Sequence, residues 1–180
     1  YNMLFTSAWE SLSTLVADKK HLGGKGGAIA VLHTWGQNMM DHPHVHMIVP
    51  AGAIKNKDKW LQKNTNRQFI VPYGPLKVLF KNKFIDQLKL EYKKKTLLIS
   101  EDQKELRNPF TFNQFKDKLY QKKWVVHIKE PFAGPKQVLS YLGRYTHRVA
   151  ISNSRILDIT NGSITFEAKN YPLSQVKMSA

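Results

Sequence analysis

Two short stretches of this chain carry residue types at spacings that could do chemistry on a phosphate ester. The first is Asp41-His42-Pro43-His44-Val45-His46-Met47-Ile48-Val49. On a β-strand alternate side chains share a face, about 6.7 Å apart at the backbone, so His42, His44 and His46 would project to one side. Two neighbouring imidazoles can converge on one cation, whereas the first and third of the set are too far apart in a regular strand. Pro43 has no N–H for a ladder and predicts the strand's start, leaving His42 in the preceding loop. His44 and His46 are therefore the candidate metal pair. Gln37, near the turn on the neighbouring strand, is the candidate third ligand, with Asp41 and His33 as competitors. Three protein ligands would leave positions open for substrate, as a catalytic metal requires. The bland alternative is a set of polar residues on a half-exposed sheet face.

The second stretch is Pro135-Lys136-Gln137-Val138-Leu139-Ser140-Tyr141-Leu142-Gly143-Arg144-Tyr145-Thr146-His147-Arg148. Pro135 suits the first turn of a helix. On that helix Tyr141 and Tyr145, four residues apart, share a face, and Val138 and Leu142 form a stripe that can pack on a sheet. A phenol, with an ordinary pKa of about 10, becomes a nucleophile once its proton is removed or its oxyanion stabilised. Attack on a phosphodiester would trade one ester for another and so store the bond for rejoining. Arg144, His147 and Arg148 cluster at the helix's C-terminal end, where cations are favoured and can grip phosphates. Taken alone, the two tyrosines read first as ordinary amphipathic core or interface residues, and only the histidines beside them favour chemistry.

The elements that must position these groups follow from periodicity. Residues 3–20, 76–92 and 110–120 carry apolar residues at helical spacing. Residues 28–35 and 43–50 predict an antiparallel hairpin joined by a medium loop. Residues 51–66 read as a polar, Lys-rich excursion, and residues 67–71 and 124–129 as further strands. Residues 155–159 and 163–168 flank Asn161-Gly162, a type I′ hairpin signal. The order is α+β with a central antiparallel sheet and flanking helices, in one domain spanning residues 1–180.

Composition narrows the partners. The 28 Lys and Arg against 13 Asp and Glu give a net charge of +15, spread along the chain, which suits a polyphosphate more than a membrane. Absence of cysteine excludes disulfides and thiolate zinc sites and fits a reducing cytoplasm. Unpaired bases could stack on Trp35, Trp60 or phenylalanines, with no assignment among them.

Together the two stretches resemble the His-hydrophobic-His (HUH) endonuclease superfamily, and within it the two-tyrosine transposases of bacterial rolling-circle insertion sequences. The likeness rests on His33-Thr34-Trp35-Gly36-Gln37-Asn38 leading into His42-Pro43-His44-Val45-His46, and on residues 141–152, Tyr-Leu-Gly-Arg-Tyr-Thr-His-Arg-Val-Ala-Ile-Ser. It implies a ferredoxin-like or replication-initiator-like HUH nuclease fold. It also implies Mg²⁺ or Mn²⁺ on His44, His46 and Gln37, and Tyr141 and Tyr145 as nucleophiles forming 5′-phosphotyrosine links to single-stranded DNA at element ends and target. Arg144, His147, Arg148 and Lys136 would hold the DNA. A bacterial, cytoplasmic, DNA-associated protein follows, and a homodimer is left open. Relatives usually begin with a cysteine-rich zinc-binding module, so this chain reads as part of a longer protein. Rival readings are a plasmid relaxase or rolling-circle replication initiator with the same chemistry, and a non-catalytic nucleic-acid-binding remnant.

Overall fold

The computed structural model describes residues 1–36, 38–56, 58–62, 69–132, 134–146, 151–160 and 162–168, without the side chains of 144–146. In chain order the elements are α1 (Asn2–Ala17), β1 (Ile29–Trp35), β2 (Asp41–Ile48), β3 (Gly52–Lys55) and β4 (Lys59–Gln62). After these come α2 (Tyr73–Lys93), α3 (Pro109–Gln121), α4 (Pro135–Thr146), β5 (Ile156–Thr160) and β6 (Ser163–Phe166), with 3-10 segments at Glu101–Arg107 and Asn153–Arg155. The chain is α+β, and it packs as two compact units. One comprises Tyr1–Ala28 with Val49–Pro131; the other comprises Ile29–Ile48 with Phe132–Ala180. Among the described residues the strands form three separate two-stranded antiparallel sheets, β1-β2, β3-β4 and β5-β6, where one central sheet was expected.

The first unit is built on α1 packed against α2. Leu12, Leu15 and Val16 of α1 and Ile85 and Leu88 of α2 are buried, as the helical spacing predicts. Ser7 and Ser11, both fully buried, present small side chains, and Ser11 Oγ donates to the Ser7 carbonyl at 2.6 Å. Asn108 caps α3 by accepting from the Phe110 N–H at 2.8 Å, with Pro109 in the first turn. Residues 124–129 form no strand. Trp124 instead buries its indole against Phe80 and Phe84, at ring-centroid distances of 5.7 and 5.4 Å, and donates Nε1–H to the Leu119 carbonyl at 2.9 Å. A hydrophobic anchor, not a ladder, accounts for the apolar residue there.

The Lys-rich excursion holds the β3-β4 hairpin, which four-residue strands around a polar turn concealed. Of the strand expected over residues 67–71, Arg67 and Gln68 lie outside the described residues, and Phe69, Ile70 and Val71 are not in a strand.

In the second unit β1 and β2 pair antiparallel, Ile29↔Ile48 through His33↔His44, and then Trp35↔Asp41. Between the last two pairs Thr34 faces both His42 and Pro43, which is a β-bulge. The bulge corrects the expectation that Pro43 begins the strand. β2 begins at Asp41, and an imino residue is tolerated where the ladder is already interrupted. The β5-β6 hairpin forms where the Asn-Gly signal put it, with Gly162 at φ +76°. Among the described residues no helix is long and apolar enough to cross a membrane.

Candidate metal and nucleophile site

The site lies within the second unit. Because β1 pairs with β2 in the register His33↔His44, an imidazole from each strand stands at the same level, and His46 follows two residues on along β2. The three rings gather closely: His33 to His44 is 5.4 Å between centroids, His33 to His46 is 4.6 Å, and His44 to His46 is 4.8 Å. One ligand nitrogen from each lies within 4.8 Å of the other two, and all three residues are half-buried.

Neighbouring groups set how these rings present themselves. Nδ1 of His44 donates to the His42 carbonyl at 2.6 Å. A carbonyl can only accept, so neutral His44 carries its hydrogen on Nδ1 and its lone pair on Nε2. This is the backbone support that orients metal-binding histidines generally. Burial pushes the His44 pKa below its ordinary 6.5; the bond to the His42 carbonyl opposes this and the neighbouring His33 adds to it. The neutral, ligating form is thereby favoured. His42 packs its ring 4.9 Å from His44 but is not a member of the three-nitrogen cluster. The ring of Trp35 lies parallel to that of His33 at 6.1 Å.

Helix α4 brings Tyr141 to this cluster. Its hydroxyl lies 3.0 Å from Nδ1 of His46, and its ring packs at 5.2 Å on Phe132 and 6.3 Å from His46. Val138 and Leu142 are half-buried, as the predicted stripe requires, while Leu139 is exposed.

Of the expected site residues, the structure thus brings together His44, His46 and Tyr141. Lys136 is exposed on the first turn of α4. Gln37, His147 and Arg148 lie outside the described residues, as do the side chains of Arg144 and Tyr145, whose backbones continue α4. His33, only a competitor in the sequence, stands in the cluster; pairing His33 with His44 across the hairpin is the signal that places it. Phe132, against Tyr141, carried no sequence signal.

The chain matches the family described as "Putative transposase" over residues 27–179. It is 42% identical over 172 residues to "Putative transposase y4qJ" of Sinorhizobium fredii (strain NBRC 101917 / NGR234), covering 95% of this chain and 43% of that protein. It is 25% identical over 170 residues to "Transposase for insertion sequence element IS801" of Pseudomonas savastanoi pv. phaseolicola, covering 89% of this chain and 39% of that protein. This chain spans about two fifths of the length of these relatives. No solved structure matched it. The chain belongs to the two-tyrosine transposase family that its histidine and tyrosine motifs resemble.

Proposed function

We propose that this chain is the DNA-cutting part of a transposase, which nicks and rejoins single-stranded DNA through 5′-phosphotyrosine intermediates on an HUH nuclease fold formed by residues 1–180. The observation that carries the reading is the Tyr141 hydroxyl held 3.0 Å from an imidazole of a three-histidine cluster. A structural tyrosine needs a partner for its hydroxyl; it does not need that partner to be one of three convergent ligands.

His33, His44 and His46 would hold the divalent cation, and the lone pair on His44 Nε2 suits that role. Gln37 keeps its place as a candidate ligand. Imidazoles favour softer ions than Mg²⁺, which puts Mn²⁺ ahead of Mg²⁺ among hard-substrate cofactors. A cation held there would supply polarisation of the scissile phosphate and offset charge in the transition state.

Tyr141 Oη attacks phosphorus, the P–O3′ bond breaks, and the DNA 5′-phosphate is left on the tyrosine. The phenol loses one proton and the departing 3′-hydroxyl gains one. His46 Nδ1 fixes the phenol oxygen in place. With its Nε2 on the cation, His46 carries its hydrogen on Nδ1, and that N–H would stabilise the phenolate oxygen as the phenol proton leaves to solvent. Tyr145, one helical turn on, would serve a second exchange. Lys136, Arg144, His147 and Arg148 would hold the backbone. The protein would work on DNA in the bacterial cytoplasm.

The test is incubation of end-labelled single-stranded DNA with the chain and Mn²⁺ or Mg²⁺. A covalent adduct absent from Tyr141→Phe and His44→Ala supports the reading. DNA binding without an adduct, from a chain carrying its flanking segments, would instead favour a non-catalytic binding protein.

A further inference from the structure

The first unit carries a feature that the cutting chemistry does not use, where α2 passes the C-terminal end of α3. A cleft of about 190 Å³ opens there, and four of the residues lining it are lysines: Lys77 and Lys81 of α2, and Lys122 and Lys123 just beyond α3. Positions 77 and 81 are about one turn apart on a helix and share a face. The other two arrive from a segment far along the chain. Among the described residues no carboxylate lines the cleft, and none of the four lysines is in an ion pair. Neighbouring lysines differ, since Lys83 pairs with Glu10 at 3.4 Å, Lys89 with Asp86 at 2.9 Å and Lys116 with Asp117 at 3.5 Å.

The fold itself accounts for one of these charges. The C-terminal end of a helix carries roughly half a negative charge, and Lys81 answers it at α3 by donating from Nζ to the Tyr120 carbonyl at 3.3 Å. Among the described residues the side chains of Lys77, Lys122 and Lys123 have no hydrogen-bond or ion-pair partner. Gathering like charges costs repulsion, which a bound polyanion would relieve. Lys122 and Lys123 are exposed and Lys77 is half-buried, so a ligand can reach all three. The cleft offers no open ring to a base. Tyr120 already carries the Lys81 and Lys89 ammonium groups at 5.9 and 5.6 Å from its ring centroid, and Trp124 is buried. Lysine binds a phosphate as a point charge, and contacts to phosphates carry no sequence information.

We infer that this cleft is a clamp for the phosphodiester backbone of DNA, with Lys77, Lys122 and Lys123 contacting neighbouring phosphates and ignoring base and strandedness. The choice of DNA as the polymer rests on the proposed strand-cutting function. The convergence of unpartnered lysines does not.

The experiment measures binding of an oligothymidylate, and of a blunt duplex of the same length, by the whole chain in EDTA, where cutting is not required. Lys77→Gln/Lys122→Gln/Lys123→Gln should weaken binding of both by about 10-fold or more at about 0.1 M salt, and lower the slope of log affinity against log salt by about 2. The same loss of charge at the C-terminal end of α2, Lys93→Gln/Lys94→Gln/Lys95→Gln, should lower that slope by less than about 1. Since the substitutions could disturb the cleft, unmutated protein is also acetylated with and without DNA, and mass spectrometry should show Lys77, Lys122 and Lys123 protected. Unchanged affinity in the cleft variant, equal losses in the two variants, a loss confined to one form of DNA, no detectable DNA binding by the wild type, or protection only elsewhere would overturn the clamp. A chain that forms no tyrosine adduct yet passes these tests contradicts the cutting reading and leaves the clamp standing. A chain that forms the adduct but fails them does the reverse.

Discussion

The two units of this protein divide packing and charge from the candidate site. Among the described residues the ten buried hydrophobic ones, from Leu12 to Trp124, belong to the first unit, and those of the second are half-buried or exposed. The first unit also holds 22 of the 28 Lys and Arg against 10 Asp and Glu, whereas the second holds 6 against 3. Yet the histidine cluster and Tyr141 are all in the second. The chain's overall charge therefore says little about where the candidate site lies. The difference also teaches that the site is held by local means, a paired register, a bulge and a hydrogen-bonded tautomer, and not by a large core beneath it.

The largest expected effect attacks the chemical side. His44→Ala removes one of three convergent nitrogens, and Mn²⁺ affinity measured by calorimetry should fall on the order of 100-fold. Replacing a lysine of the first unit, such as Lys77→Ala, should leave it unchanged. Equal losses from both would erase the division between the units.

On the packing side, Ile85→Ala in the first unit should cost about 2–5 kcal/mol in thermal or urea unfolding, because Ile85 is fully buried. Leu142→Ala on half-buried α4 should cost about half as much or less. A larger penalty at Leu142 would show that the second unit has a core of its own.

Ligand linkage should separate the units as well. Mn²⁺ at 100 times its Kd should stabilise the binding-competent state by about 2.7 kcal/mol. Amide exchange should slow in Ile29–Trp35 and Asp41–Ile48, and much less in α1 and α2. Uniform slowing would argue for one cooperative body.

The smallest effect is on pH. Burial lowers the His44 pKa below 6.5, so in the window beneath that value the unfolded chain takes up a proton more readily than the folded one. Stability should be level above about pH 7 and decline as the pH falls through 6.5. The decline should be weaker in His44→Gln.

Much of the site was legible because its periods are strong. Histidines at every second residue of β2 and tyrosines four apart on α4 each declare their element, and Asn161-Gly162 marked the last hairpin. The third member of the histidine cluster was not legible as first choice. Choosing between Gln37 and His33 needs the strand register, and the bulge at His42 and Pro43 shifts that register by one residue. The β3-β4 hairpin was hidden because its turn is as polar as a loop and its strands are four residues long. Trp124 misled in the opposite sense, since an apolar residue anchored by one indole bond imitates a strand. The single central sheet expected from the strand order is three hairpins among the described residues, because strand order alone does not say which hairpins will pair edge to edge.

Tyr141 and the three histidines are proposed to act as one site. The most direct measurement is digestion of the wild-type chain after reaction with single-stranded DNA and Mn²⁺, with mass spectrometry of the nucleotide-bearing peptides. A 5′-phosphorylated nucleotide on Tyr141 that disappears in EDTA and in His44→Ala is expected. Adducts confined to other residues, or formation of the Tyr141 adduct undiminished without metal and without His44, would contradict it.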